Sequence, residues 1–369
     1  MKIPLVDLSR QHAQIAAKVA EDVLGVMERS EFILGPAVAE FEDRFARYCG
    51  VAHCIGVGNG TEAIELALRA LGVSAGDEVV VPANTFIATA LAAVRLGARP
   101  VLVDCREDSF LIDTDLVPEA LTSRTRAIVP VHLYGQMAEA EKIREVAGES
   151  IPILEDAAQS QGASRLGRSM GGFGEAAATS FYPGKNLGAY GDGGAVLTSD
   201  DDLADRLRRL RNWGSTQKYH HPEIGFNSRL DTVQAVVLLA KLEHLDIWNK
   251  ERQLAADRYH EMLADLDVVT PTVADGNEHV WHLYVIRVAQ RDRVLEALNR
   301  RGVGAGIHYP TPLHLHGALA DLGYERGDFP VAEHLADEIL SLPMFPGITE
   351  GEQQYVVESL AKALEEVGV

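Results

Sequence analysis

The sequence predicts an α/β protein: a large domain built on a mainly parallel sheet, followed by a small C-terminal α+β domain. Three observations carry this. From about residue 52, short β-branched runs alternate with helical stretches, the pattern of strands buried on both faces and linked by crossover helices. Near residue 245 that alternation gives way to a long helical segment and sparser strands. At 369 residues and 47% hydrophobic, the chain is also too long for one compact core, which places a large domain at 1–245 and a small one at 246–369.

The elements follow in order. The expected strands of the large domain are HCIGVG, EVVVPA, PVLVDC, RAIVPVHL, IPILED, AATSFY and GAVLTS. Between the earlier ones lie TEAIELALRALG, FIATALAAVRLG and AEAEKIREVAG, each closed by glycine; in the first, Ile64, Ala67, Leu68 and Leu71 recur at helical spacing. After DDDLADRLRRLRNWG comes a polar loop, STQKYHHPEIGFNSRL, and then helix from about Thr232 to Leu266. Beyond it, HLYVIRV reads as a strand, with helices near 291–301 and 329–340 and a last one from about Glu350. In such folds ligands bind at the carboxyl ends of the strands.

Charge narrows the partners. With 34 basic against 54 acidic residues, a formal charge of −20, the chain repels nucleic acid and anionic membrane surfaces. Its three cysteines show no metal-type pairing and indicate no disulfide framework, so a cytoplasmic location is expected. No signal peptide and no membrane span are expected, because no continuous apolar stretch is long enough. The thirteen histidines lack zinc-ligand spacing, so no metal is predicted and they read as polar pocket lining.

The chemistry centres on TSFYPGKNLGAYGDGGAVLTS, where Lys185 sits on a glycine-rich loop between two apolar runs. Taken alone, such a lysine is a solvated loop residue. The spacing of a phosphate-binding P-loop fails here, since Asn186 follows the lysine. A lysine in a partly desolvated pocket can instead attack a carbonyl, because desolvation frees its amine. Schiff-base chemistry with pyridoxal phosphate then demands a carboxylate for the ring nitrogen, which IPILEDAAQS supplies as Asp156; its ordinary alternative is to cap the following turn. Glu155 and Asp156 leave the strand on opposite faces, so one can point into a ligand site.

A phosphate needs backbone donors at a helix start. GVGNGTEAIELAL offers the Gly60 and Thr61 amides, where the helix dipole adds about 0.3–1 kcal/mol. The glycine spacing does not match a dinucleotide fingerprint, which weighs against a nicotinamide-dependent reductase. Ser180 can add a hydroxyl to the same anion. Phe86, in PANTFIATA, follows a strand end and can stack on a flat ring, although an aromatic at a helix start is more often core.

In these motifs, and in FILGPAVAEFE, PVHLYGQM, GFNSRLDTVQA, GIHYPTPLHLH and SLPMFP, the chain resembles the DegT/StrS-type nucleotide-sugar aminotransferases over almost its whole length. These are pyridoxal-phosphate enzymes with the fold of aspartate aminotransferase, fold type I. The resemblance implies that Lys185 carries the cofactor and serves as acid and base, and that Asp156 pairs with its ring nitrogen. It places Phe86 on the ring and Gln159 beside the phenolic oxygen. Gly60, Thr61 and Ser180 hold the phosphate, joined by Asn227 from the partner subunit of a homodimer. L-Glutamate is the implied amino donor and a nucleotide-linked keto-sugar the acceptor.

Related dehydratases carry histidine in place of the Schiff-base lysine, and Lys185 argues against that branch. The stretch GIHYPTPLHLHGALADLGYERGDFP is most similar to enzymes that aminate C3 of dTDP-linked 3-keto-6-deoxyhexoses. That likeness assigns His308 and Tyr309 to the sugar pocket, with His314 and His316 nearby, while Lys218 and Arg229 are candidate diphosphate contacts. C4 amination and cyclitol amination use the same core. A cofactor-binding sensor without turnover is the alternative from another class.

Overall fold

The computed structural model describes residues 1–368, and its elements follow the expected order. The sheet is assembled from two pieces. One is a four-stranded sheet in which His53–Val57, Gly194–Thr198, Ala176–Ser180 and Leu154–Asp156 lie side by side. The other is three-stranded, Arg99–Val103, Glu78–Pro82 and Thr125–Ile128. Parallel bridges Ile128 to Ile153 and Val131 to Asp156 join them into one continuous sheet. Pairing is parallel except around Gly194–Thr198, which runs antiparallel to both neighbours. The α/β class and the mainly parallel sheet are thus both present.

Helices cover the sheet because its strands are apolar on both faces. Every residue of Glu78–Pro82 and Gly194–Thr198 is buried. The helix Gly60–Ala70 is buried through Ala63–Leu68, wedged among other elements; its Glu65 meets Arg95 at 3.1 Å. On the other side Pro36–Cys49 starts with proline, which needs no amide hydrogen in the first turn, and packs Phe41 and Phe45 edge-on against Phe181.

The long segment expected from Thr232 to Leu266 is two helices, Thr232–Leu242 and Leu245–Met262. The first is buried at every position from Ala235 to Leu242, whereas the second buries only one face, through Leu245, Trp248, Arg252, Ala255, Ala256 and Tyr259. One straight helix cannot serve both environments, so the chain turns at Glu243 and His244, with no glycine or proline to announce it.

The C-terminal part pairs Tyr284–Arg287 antiparallel to Ile339–Leu342 and covers this ribbon with Arg291–Arg300, Pro330–Glu338 and Glu350–Val367. Thr349 and Glu352 form a reciprocal capping box at the start of the last helix. A hydrophobic cluster here gathers Tyr259, Trp281, Tyr284, Leu340, Val356 and Leu364, and it includes Ile3. Ile3 bridges in parallel to Val303, so the first residues of the chain belong with its last third. The next helix, Leu8–Arg29, instead sets Ile15 and Val19 against Val237, Ala240 and Trp248.

Truncating Phe45 removes a ring that is fully buried between Phe41 and Phe181. Phe45→Ala is expected to lower unfolding free energy by about 3–5 kcal/mol in denaturant titration; a loss below about 1 kcal/mol would mean that the cluster collapses around the gap.

Candidate active site

A cleft of about 670 Å³ opens at the carboxyl ends of the parallel strands. Its wall contains Gly60, Thr61, Phe86, Asp156, Gln159, Ser180, Lys185, His308 and Tyr309, all of them expected from the sequence. The topology explains the convergence. Asp156 and Ser180 end neighbouring parallel strands, and Phe86 caps the helix Ile87–Arg95 just beyond a third strand.

Lys185 sits on a loop that is stapled in place. Its own amide donates to Tyr182 O at 2.8 Å, Ala189 N to Phe181 O at 2.7 Å, and Phe181 N to Gly193 O at 2.8 Å. The next side chain, Asn186, donates to Val280 O at 2.9 Å and Asn249 Oδ1 at 2.8 Å. Gly188 allows the tightest fold-back, since a β-carbon there would lie 2.3 Å from Pro183 O. Desolvation lowers the Lys185 amine to about 8, with Asp156 opposing the shift. An amine tuned this way can be free of its proton near neutrality and act as nucleophile or base.

Asp156 accepts hydrogen bonds from Thr89 Oγ1 at 2.8 Å and from Ala158 N at 3.2 Å. Burial raises its pKa, and Thr89, Ala158, Lys185 and His132 pull it back. Such a carboxylate is suited to a cationic partner, which favours its charged form. Glu155 faces the other way, as the strand geometry requires. It binds His132 Nε2 at 2.9 Å and the amides of Gly171, Phe173 and Gly174, fixing the strand end from behind.

At the start of Gly60–Ala70, Asn59 caps the Glu62 amide at 2.9 Å, and its carbonyl takes the Ala63 amide at 3.0 Å. The Gly60 and Thr61 amides are left without partners among the described residues, facing the cleft beside Ser180. A β-carbon at Gly60 would lie 2.5 Å from Ser180 Cβ, so only glycine lets the helix start and the strand end meet. The result is a cradle for a phosphate.

Phe86 is 51% exposed and lines the cleft, its ring centre 5.2 Å from that of Tyr309. Gln159 accepts from Tyr134 N at 2.7 Å and donates to the Tyr309 hydroxyl at 3.1 Å. His308 Nδ1 lies 2.8 Å from Ser341 Oγ, and burial with the Lys185 charge lowers its pKa to about 4.

Other expected residues lie elsewhere. His314 is buried 2.9 Å from Glu333, with its ring against Phe329, so it ties the Leu313–Leu315 turn to the helix Pro330–Glu338 and lines no part of the cleft. His316 bonds back to Thr311 O at 3.2 Å. Lys218 lies beside Tyr219 on the polar loop, and Arg229 stacks over Trp213 at 4.2 Å; neither reaches the cleft of its own chain. Asn227 is exposed on that same loop and is likewise outside its own cleft.

The sequence reading missed Thr89, His282, Leu5 and Val6, which line the cleft, and Lys241, which donates to Gly188 O at 2.6 Å beneath the lysine loop. Thr89 lies one helical turn after Phe86 and was detectable by that spacing. The others reach the site from far along the chain and carried no local signal.

The whole chain matches known proteins. Residues 13–361 match the model of the DegT/DnrJ/EryC1/StrS aminotransferase family, and the chain belongs to that family. It is therefore an aminotransferase, with the fold of pyridoxal-phosphate transferases and pyridoxal phosphate as its cofactor. It is 44% identical to a dTDP-3-amino-3,4,6-trideoxy-alpha-D-glucose transaminase of Streptomyces venezuelae, over 99% of this chain and 97% of that one. A protein of Geobacillus stearothermophilus named pleiotropic regulatory protein is 47% identical over 98% of each chain. Among solved structures, S. venezuelae DesV in complex with a ketimine intermediate is similar with a TM-score of 0.95 and 44% identity, covering 98% of both chains. The groups in the cleft fit the cofactor: unpaired amides would suit its phosphate, the Asp156 carboxylate its ring nitrogen and the Lys185 amine its carbonyl.

In the folded chain Lys185 titrates near 8, below the 10.5 of an unperturbed lysine. Between those values the folded form binds fewer protons than the unfolded one, so the stability cost of the amine is full below pH 8 and fades as pH rises toward 10.5. Lys185→Met is expected to raise the Tm of the cofactor-free protein at pH 7, with the gain shrinking between pH 8 and 10.5. A pH-independent gain would place the amine in water.

Proposed function

We propose that the protein moves the amino group of L-glutamate to C3 of a nucleotide-linked keto-6-deoxysugar, with dTDP as the nucleotide, in amino-sugar biosynthesis in the cytoplasm. The observation that carries this reading is the meeting of the Lys185 amine, the Asp156 carboxylate and the Gly60–Thr61–Ser180 cradle in one cleft. The dTDP-sugar transaminase named above, similar along its whole length, supports the substrate class.

Bound pyridoxal phosphate supplies a carbonyl for amines and a pyridinium ring that withdraws electrons. Asp156 would keep that ring nitrogen protonated, and its own bonds to Thr89 and Ala158 hold it in position. Phe86 would stack on the ring and Gln159 would orient the phenolic edge. Lys185 would hold the cofactor through Nζ until the amino acid takes its place; the amine so freed would carry the α-carbon proton of L-glutamate to the cofactor, and water would release 2-oxoglutarate, leaving the amino group behind on the cofactor. With the keto-sugar the same amine runs the transfer in reverse. His308 and Tyr309 contact the sugar.

We also propose a division near residue 245, between the two helices there, into a cofactor-binding domain, 1–245, and a small domain, 246–369. The working unit is a homodimer in which Asn227 reaches the neighbour's phosphate, and Lys218 and Arg229 on the same segment meet the neighbour's diphosphate. Exposed Trp213, Tyr219 and Ile224 make that segment suited to contact a second copy.

Loaded protein mixed with L-glutamate is expected to lose its visible absorption and release 2-oxoglutarate, and a dTDP-linked 3-keto-6-deoxyhexose to restore it with an amine at C3 of the product. Lys185→Ala is expected to slow both phases at least about a hundredfold. An amine found at C4, or transfer only to a cyclitol, would redirect the substrate assignment. The regulatory relative favours a second reading, a cofactor-binding sensor; reaction with L-glutamate but with no keto-sugar would support it. Mixed dimers of Lys185→Ala and Asn227→Ala are expected to regain activity that neither variant has alone, and failure to do so would remove the shared site.

A further inference from the structure

We propose that His282 is a further substrate-binding residue of this cleft: a fixed hydrogen-bond acceptor for a hydroxyl of the amino-accepting sugar. The inference rests on the sugar aminotransferase reading above and assigns one contact within it.

The ring's tautomer follows from its neighbours. Val280 O can only accept, so Asn186 must turn its amide NH₂ toward it, at 2.9 Å. Asn249 is fixed the same way, because its own NH₂ donates to Gln161 O at 2.9 Å, leaving its oxygen to accept from Asn186 at 2.8 Å. The Asn186 oxygen therefore faces His282 Nδ1, 3.2 Å away. An amide oxygen requires a donor, so Nδ1 carries the hydrogen and Nε2 keeps a lone pair.

The ring stays neutral. Burial and the charges of Lys185 and Arg252, with His308 and His279 also facing it, hold its pKa well below the usual histidine value. Its position is equally fixed, since buried Arg252 donates to Trp281 O at 3.1 Å and Met344 O at 3.2 Å, and reaches His282 O at 3.4 Å. Nε2 has no partner among the described residues, and the ring lines the cleft with Lys185 and Leu283.

A lone pair that cannot donate repels carboxylate and phosphate oxygens and accepts from O–H or N–H. L-Glutamate presents two carboxylates, and its one N–H group is the amine committed to the cofactor, whereas the sugar presents free hydroxyls. Lys185 makes no hydrogen bond to the ring here, and the cofactor engages its amine when bound. The geometry thus favours the sugar over the amino acid, and a preformed acceptor is the arrangement that discriminates strongly between ligands with and without the matching hydroxyl.

The test separates the two half-reactions. In His282→Phe, which keeps a ring and removes the acceptor, kcat/KM for the keto-sugar is expected to fall at least about tenfold further than kcat/KM for L-glutamate, with part of the loss recovered in His282→Gln. In the cofactor-free wild type, ¹⁵N spectra at neutral pH are expected to show a protonated Nδ1 and a bare Nε2. Equal losses in both half-reactions, or a protonated Nε2, would overturn the assignment. A wild-type protein that ignores L-glutamate would instead overturn the functional reading on which it rests, a result the variants do not produce.

Discussion

An amine sheltered from water, with no carboxylate bonded to it among the described residues, is the feature on which the rest of this structure depends. Left to itself the Lys185 loop would turn its side chain into solvent, where an ammonium is most stable. It does not, because the loop is held at several independent points: the turn onto Tyr182, the closure at Gly188, the Lys241 bond beneath it, and the Asn186 amide gripping the C-terminal part at Val280. Lys241 is itself a buried amine, lowered to about 8 by desolvation. The fold thus accepts the cost of two poorly solvated lysines in order to present one of them, a cost that only a large core can carry.

The same logic shapes the strand end before it. Two adjacent carboxylates could share one environment only by raising each other's pKa. Strand geometry separates them: Glu155 turns to three backbone amides and His132, while Asp156 turns to the cleft with two donors, Thr89 and Ala158. One is saturated and structural; the other is left short of partners and ready for a cation.

Much of this was legible in the sequence because it is local. The strand–glycine–helix run at Gly56–Thr61, the paired carboxylates and the lysine loop each encode their own backbone, and the sheet brings their ends together with no further information. Phe86 was legible for the same reason. His314 was misjudged because its partner, Glu333, comes nineteen positions later in a segment with no pattern linking the two. His282 was passed over because its chemistry is set by Asn186 and Asn249, which meet it only in the folded chain. The helix break at Glu243 and His244 was hidden because both halves are apolar enough to continue, and only the change from all-round to one-sided burial stops the first.

The pairing of Ile3 with Val303 has a consequence for how the chain is made. Translation delivers Ile3 about 300 residues ahead of Val303, so its place in the structure does not exist until Val303 has left the ribosome. Until then the helix Leu8–Arg29 can already dock on Val237 and Trp248, leaving the first residues waiting beside an open cleft. Closing so long a loop adds little to the equilibrium cost, since that cost grows only with the logarithm of loop length, but it comes late in the order of events. Leu5 and Val6 are therefore among the last parts of the cleft wall to arrive, and a nascent chain brings Gly60, Asp156 and Lys185 together before that wall is complete.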